Sequence, residues 1–369
     1  MSKRKHRDVP QEKDFTGGMI NSASCSYVGT TGEKALDEKI SALAKEIDNS
    51  EGFCLLAELM TTAVRISRGA VSQGDFKMMN RALKEMRISS EVFNPYSHIK
   101  KVGIFGSART KPEEVEYITT VKFAERMREE GFMTITGAGP GIMAAGNEGA
   151  GRENSFGLNI SLPFESSANP FIAGDEKLID YNYFFTRKLS FVKEADAAVA
   201  MPGGFGTMDE IFEAMTLIQT GKAVIYPLVL LDAKGGTYWK FWNQFIEEHL
   251  MRLNLISESD FALFKVTDDI EEAVSEIVNF YRNFHSYRFV GDKLVVRLQD
   301  AIDPDAFDNL ATEFADIVKS GTMQQRGALP EEENEVEMAE MPRIVLRHGR
   351  GDMGRLRQFI DAINVATIV

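Results

Sequence analysis

From Lys101 onward, short β-rich runs alternate with helix-length segments, a pattern that predicts a Rossmann-like α/β fold built on a doubly wound parallel sheet. A helical N-terminal region precedes this core, and a small C-terminal α/β domain follows it. Two further observations support the class. Glycine-rich turns stand at the C-terminal ends of three of the β-rich runs, where open parallel sheets present ligand sites. The 369 residues, 44% hydrophobic and 26% charged, lie in the ordinary globular range and exceed what one hydrophobic core usually organises.

Residues 1–32 are polar, Gly/Ser-containing and without a sustained period, and read as a flexible arm. Residues 33–97 form the helical region. There Ala35, Ile40, Leu43 and Ile47, then Phe53, Leu56, Leu59, Met60 and Val64, recur at spacings near three and four. A third helix is expected over 76–86, and Asn94-Pro95 marks the end of the region. The core spans 98–285, with strands expected at 102–105, 133–136, 156–160, 178–179, 197–201 and 224–231. Its helices are expected at 112–130, 141–151, 186–194, 207–220, 238–250 and 270–284. Residues 286–369 contain two βα units, 293–298 with a helix from 304 and 343–348 with a helix from 352, which duplication or chance could produce. The linker between them carries an acidic run at 331–335 and is expected to be a mobile loop.

A formal net charge of −13 opposes extended contact with a nucleic-acid polymer, which needs a concentrated basic face. A small anion remains acceptable, because the field within a few ångströms is set by neighbouring dipoles. Cys25 and Cys54 fit neither a disulfide framework nor paired metal ligands, which points to a reducing, cytoplasmic setting and no metal. No run approaches the ~18 apolar residues of a membrane span, and the first residues lack the apolar stretch of a secretory signal.

The three turns are Gly106-Ser107-Ala108, Gly137-Ala138-Gly139-Pro140-Gly141 and Pro202-Gly203-Gly204-Phe205-Gly206-Thr207. Each leads toward a helix whose first N–H groups lack partners and whose positive end is worth up to ~2 kcal/mol to a partly buried anion. A phosphate suits that environment. Any one turn alone could simply join strand to helix, and Thr207 could serve as a helix cap or as a ligand hydroxyl. The second turn reads GAGPG, not G-x-G-x-x-G, and no P-loop lysine follows any turn. A monophosphate therefore fits better than a dinucleotide or a triphosphate.

Glu210 and Glu213 lie three apart on one face of the helix after the third turn, with Asp209 directed elsewhere. A carboxylate there would meet the ribose of a bound nucleotide, where glycosidic cleavage builds positive charge. The alternative is the ordinary preference of acidic residues for helix N-termini. Arg187 and Lys188 stand at the start of another helix, where positive charge opposes the dipole. Either a nearby anion compensates them or they form a solvated pair.

PGGFGTMDE at 202–210 matches the PGGxGTxxE signature of the LONELY GUY (LOG) proteins, long labelled lysine decarboxylases. FTRK at 185–188 resembles their upstream Arg-Lys element, and GSA at 106–108 and GAGPGIM at 137–143 look like their first two ligand loops. The resemblance covers about residues 101–250. It implies a phosphoribohydrolase that converts a nucleoside 5′-monophosphate and water into free base and ribose 5-phosphate. By position it makes Arg187 and Glu210 the catalytic pair and gives Gly203, Gly204, Gly206 and Thr207 the phosphate. Gly106, Ser107, Gly137, Gly139, Met143 and Lys188 would then line the nucleotide pocket. No cofactor is implied, and the chain is expected to form a homo-oligomer with sites completed near subunit contacts. The extensions on both sides depart from short LOG proteins and leave the base open; adenosine 5′-monophosphate is the first to test, and a cytokinin riboside monophosphate is a further option. The older label would require pyridoxal phosphate on a Schiff-base lysine, a role for which neither Lys188 nor Lys222 has a convincing context. Two readings of another class stand beside the hydrolase: a non-catalytic nucleotide or molybdenum-cofactor carrier, and a nucleotide sensor in which the C-terminal units report occupancy.

Overall fold

The computed structural model describes residues 30–48, 52–161, 168–333, 335–349 and 351–369. The expected N-terminal arm falls almost wholly outside them, and Cys25 with it. The chain divides into two compact units, Met1–Arg81 and Ala82–Val369. In the first, α1 (Lys34–Ile47) and α2 (Phe53–Arg68) bury Ile40, Ala44 and Ala57 together. The long helix α3 (Gln73–Phe93) starts in the first unit and ends in the second. It outruns the expected 76–86 because nothing interrupts it before Asn94-Pro95, where a 3-10 turn takes over.

The second unit is built on β1 (Lys101–Phe105), α4 (Val115–Glu129), β2 (Met133–Thr136), α5 (Ile142–Ala150), β3 (Ser155–Ile160), β4 (Leu178–Tyr181) and α6 (Phe184–Glu194). It continues through β5 (Ala197–Ala200), α7 (Phe205–Gln219), β6 (Leu228–Leu231), α8 (Tyr238–Phe245), β7 (Lys265–Thr267) and α9 (Ile270–Phe280). All seven strands are parallel, in the order β4-β3-β2-β1-β5-β6-β7, which bears out the doubly wound class. Alternate residues serve opposite faces, as strand geometry requires. Val102, Ile104, Val199 and Leu231 meet α4, α5 and α9 on one side, while Ala198, Ala200 and Leu230 meet α7 and α8 on the other. Because helices cover both faces, β2, β5 and β6 are buried throughout.

The last core strand expected, over 224–231, is shortened. Pro227 has no N–H, so only its carbonyl joins the ladder, accepting from Ala198 N–H at 2.9 Å, and β6 begins one residue later. Three-residue β7 was not expected, being too short to show a period. The helix expected over 238–250 is α-helical to Phe245 and π-helical over Ile246–Met251. α9 stops at Phe280, not at 284, because Phe284 opens the next strand.

A second sheet follows, from β8 (Phe284–Val290), β9 (Lys293–Leu298), β10 (Val318–Arg326) and β11 (Arg343–His348), with α10 (Pro304–Glu313) after β9 and α11 (Met353–Val365) after β11. It is antiparallel, in the order β10-β11-β9-β8. Both expected βα units are present, each helix opened by an aspartate cap, Asp303 or Asp352. Leu294, Val296, Ile344 and Phe359 join Ile218, Leu228 and Leu230 in one buried cluster, so the two sheets share a core. The acidic run departs from the expected mobile loop. Glu332 is fully buried, its carboxylate accepting from Arg297 at 2.6 Å and from Arg343 and Leu329 N–H at 3.1 Å each, while Glu335 pairs with Arg288 and Arg297. Charges that read as solvated in sequence are neutralised here by arginines on β8, β9 and β11.

Candidate functional site

The strand order reverses at β1. The chain runs outward through β2, β3 and β4, then returns to pair β5 with the free side of β1. Crossovers leave the sheet in opposite directions there, which opens a crevice at the C-terminal ends of the two strands. Two of the three glycine turns emerge at that point. The Ser107 N–H donates to the Pro202 carbonyl at 3.2 Å, and the Ser107 carbonyl accepts from Ile142 N–H at 3.0 Å, so the first turn is bonded to both others. Gly203 and Gly141 allow this closeness. A Cβ on Gly203 would stand 2.1 Å from Thr207 Oγ1, and one on Gly141, whose φ is +67°, would stand 2.3 Å from the Ser107 carbonyl oxygen.

The second turn is held from below. Ala138 adopts a left-handed φ of 60°, a conformation that needs support in a residue with a side chain. Its N–H donates to Thr136 Oγ1 at 3.0 Å, and its carbonyl accepts from Asn169 N–H at 2.8 Å and Asn169 Nδ2 at 3.0 Å. Asn147, buried on α5, accepts from both Thr136 and Asn169. The Met143 side chain lies across Gly137 and Gly139, reaching 2.7 Å from where either Cβ would be.

Around these turns lies a cavity of about 800 Å³. Ten of the twelve residues singled out from sequence line it: Gly106, Ser107, Gly137, Met143, Arg187, Gly203, Gly204, Gly206, Thr207 and Glu210. Gly139 and Lys188 do not. Gly139 sits under Met143, and Lys188 is held behind Glu210 by carboxylates. Thr207 is not the helix cap. That position is Gly204, and the first bond within α7 runs from Met208 N–H to the Gly204 carbonyl at 3.1 Å. The N–H groups of Phe205, Gly206 and Thr207 therefore have no acceptor within the helix, and they form its positive end. Neither Gly204 nor Gly206 has a neighbour within 4 Å of a would-be Cβ, so the backbone there faces open space.

One turn into α7, Glu210 meets the cations of α6. Arg187 Nη2 stands 3.7 Å from Glu210 Oε1, and both side chains are about nine-tenths buried, at 13% and 12% exposed. Burial raises the Glu210 pKa above the ordinary glutamate value, although Lys188 and Arg187 pull it down. Lys188 contacts Asp209 at 2.7 Å and Glu213 at 2.5 Å, with Glu210 at 3.9 Å. Asp209 thus shares this cluster, contrary to the expectation that it points elsewhere. Burial opposes the charge on Lys188, but these carboxylates outweigh it and raise its pKa. A lysine held protonated is unsuited to forming a Schiff base, and Lys222 is exposed, so neither fits pyridoxal phosphate.

Sequence reasoning missed four contributors. Arg109, two residues beyond Ser107, lines the cavity. Tyr238, at the start of α8, donates its hydroxyl to the Gly203 carbonyl at 2.5 Å and braces the third turn. Phe184 and Phe191 add apolar walls from α6, with Arg187 lying over the Phe184 ring at 5.2 Å. Arg109 was legible as part of the GSART run; the aromatic residues carried no motif.

Residues 141–277 match the family model described as "Possible lysine decarboxylase". That segment contains Arg187 and the whole third turn with Glu210, and the match bears out the resemblance to LOG-like proteins under their older label. Among solved structures, the molybdenum cofactor binding protein from Rippkaea orientalis is 17% identical over 48% of this chain and 94% of its own, with a TM-score of 0.35. The structural-genomics target TM1055 is 23% identical over 48% of this chain and 97% of its own, also at 0.35. The molybdenum cofactor carrier protein from Chlamydomonas reinhardtii is 17% identical over 48% and 94%, at 0.34. No curated protein matches the chain. None of the helices among the described residues is long and apolar enough to cross a membrane.

Proposed function

We propose that this chain hydrolyses the N-glycosidic bond of a nucleoside 5′-monophosphate, releasing free base and ribose 5-phosphate. One observation carries the reading: the unpaired first-turn amides of α7 and the desolvated carboxylate of Glu210 lie one helical turn apart and open into the same cavity. With a pitch of about 5.4 Å, α7 separates an anion at its tip from Glu210 by roughly the reach of a ribose. The phosphate would accept hydrogen bonds from Phe205, Gly206 and Thr207 N–H, and the base would rest against Phe184, Phe191 and Met143. As the C1′–N bond breaks, the base leaves with the electron pair and positive charge spreads over C1′ and the ring oxygen. The Glu210 carboxylate stabilises that charge and accepts a proton from the water whose oxygen bonds to C1′, and the departing base anion takes up a proton from solvent to become the free base. Lys188 and Arg187 favour the ionised form of Glu210 against its burial, and Arg187 stands beside the carboxylate to orient it.

The test is to incubate the purified protein with a panel of nucleoside 5′-monophosphates, adenosine 5′-monophosphate first, and to assay free base and ribose 5-phosphate. Equal release of both from a monophosphate, and none from the unphosphorylated nucleoside, is expected. Tight stoichiometric binding without products would support the carrier reading instead. We infer also that copies of the chain associate, since Phe184, Phe185 and Leu189 are half-exposed beside the cavity and Phe205 is 95% exposed. Sedimentation at the monomer mass at micromolar concentration would count against this.

A further inference from the structure

α6 carries Arg187 and Lys188 in its second turn, yet it lacks the features that usually stabilise a helix start. Tyr183 at its N-cap makes no side-chain capping bond, and no acidic residue stands in its first turn. Cations so near that positive end face an unfavourable helix dipole. An acidic partner for the helix start comes from outside the segment matched by the family model. Glu85 on α3, 4% exposed, accepts from Asn182 N–H and Asn182 Nδ2 through one oxygen, both at 2.9 Å, and from Thr186 Oγ1 through the other at 2.5 Å. These partners bracket the entry into α6, and the next residue is Arg187.

The contact is part of a register. Ser89 and Ser190, each four residues on, meet Oγ to Oγ at 3.0 Å, and Phe93 at the end of α3 stacks on Phe156 of β3 with ring centroids 4.3 Å apart. Both polar contacts join residues 101 apart, so this part of α3 and α6 run side by side in one direction. A buried carboxylate is costly to leave without its hydrogen-bond partners, so it specifies one rotation and one height of α6. That height sets where Arg187 meets Glu210.

We propose that Glu85 is a positioning residue for the active site: by clamping Asn182 and Thr186 at the start of α6, it holds Arg187 against Glu210. The inference rests on the hydrolase reading and deepens it. A buried phosphate is not needed to balance the start of α6, because the chain supplies its own carboxylate there, and the amides of α7 remain the phosphate site.

The test is a double-mutant cycle on the full chain, measuring kcat and KM for adenosine 5′-monophosphate. Glu85→Ala is expected to lower kcat ten- to a hundred-fold with KM changed less than about three-fold, and Glu85→Gln, which can keep the hydrogen bonds, to recover most of the loss. In an Arg187→Ala background, Glu85→Ala should change kcat less than two-fold, because the effect passes through Arg187. Ser89→Ala breaks the neighbouring seam contact and should lower thermal stability while leaving kcat within two-fold. If Glu85→Ala does not fold, Glu85→Gln carries the cycle with a smaller, still non-additive loss. Equal losses with and without Arg187, or an equal loss from Ser89→Ala, overturn the inference. If the unsubstituted protein shows no turnover, the hydrolase reading fails, and the same cycle is then read in calorimetric affinity for adenosine 5′-monophosphate. Additive losses there overturn the clamp as well, and non-additive ones sustain it.

Discussion

Glu210→Gln removes a charge while keeping the size of the side chain, and the structure sets the scale of the effect. At the 3.7 Å separating Glu210 from Arg187, a unit charge pair is worth about 4 kcal/mol at an effective dielectric near 20. A sugar cation at a similar distance would gain a similar amount from the carboxylate. It gains this only in the transition state, because the ground-state nucleotide carries no positive charge at C1′. At about 1.4 kcal/mol per tenfold in rate, kcat should fall by roughly 10³. Affinity for adenosine 5′-monophosphate should stay within about three-fold, since the α7 amides proposed to hold the phosphate are untouched. Single-turnover release of base gives the first quantity and calorimetry the second. A kcat within five-fold of the unsubstituted protein, or a loss confined to affinity, would refute the assignment of Glu210 to the reacting sugar.

Because burial raises the Glu210 pKa and the reaction needs the anion, kcat/KM should rise with pH through an ionisation above the ordinary glutamate range. Lys188→Met removes a cation that lowers this pKa and should move the acid limb to higher pH; a limb that ignores the substitution argues against Glu210 as its source. Gly203→Ala forces a Cβ onto Thr207 and Ser107 and should cost about 1–3 kcal/mol of stability in urea titrations together with nucleotide binding. Gly206→Ala meets no protein neighbour, so it should weaken nucleotide binding without lowering the melting temperature, and the opposite ranking would misplace the phosphate. Glu332→Ala leaves Arg343 buried without its carboxylate and Arg297 with Glu335 alone, and should destabilise the fold by about 3–5 kcal/mol. Burial works against the Glu332 charge, but its arginines and the Leu329 N–H hold its pKa low, so this stabilisation is present at neutral pH and lost as acid protonates it; urea midpoints across pH check both points.

Much of the site was open to reading in one dimension because its chemistry is local. The turn, the first helical amides and Glu210 lie within nine residues of chain, 202–210, so their mutual geometry follows from one strand-to-helix junction. Arg187 could be named as a cation at a helix start, but its opposition to Glu210 is a contact between two helices on the face of a sheet. Lys188 shows the limit: adjacent to Arg187 in sequence, it points a third of a turn away, into carboxylates and not into the cavity. Tyr238 reaches Gly203 from 35 residues away, and Glu85 reaches Asn182 from 97, separations over which no periodicity survives.

The amino-acid order alone determined the parallel α/β class, the three glycine turns and the acid one turn beyond the last of them, since alternation, glycine placement and helix phase act between near neighbours. Folding alone decided that Glu332 and Glu335 of the acidic run meet arginines, that Lys188 stands behind the site and that a glutamate from α3 braces α6. A charge reads as solvated until the chain brings its partner to it, and partners brought by strand order and helix packing leave no mark on the residues beside it.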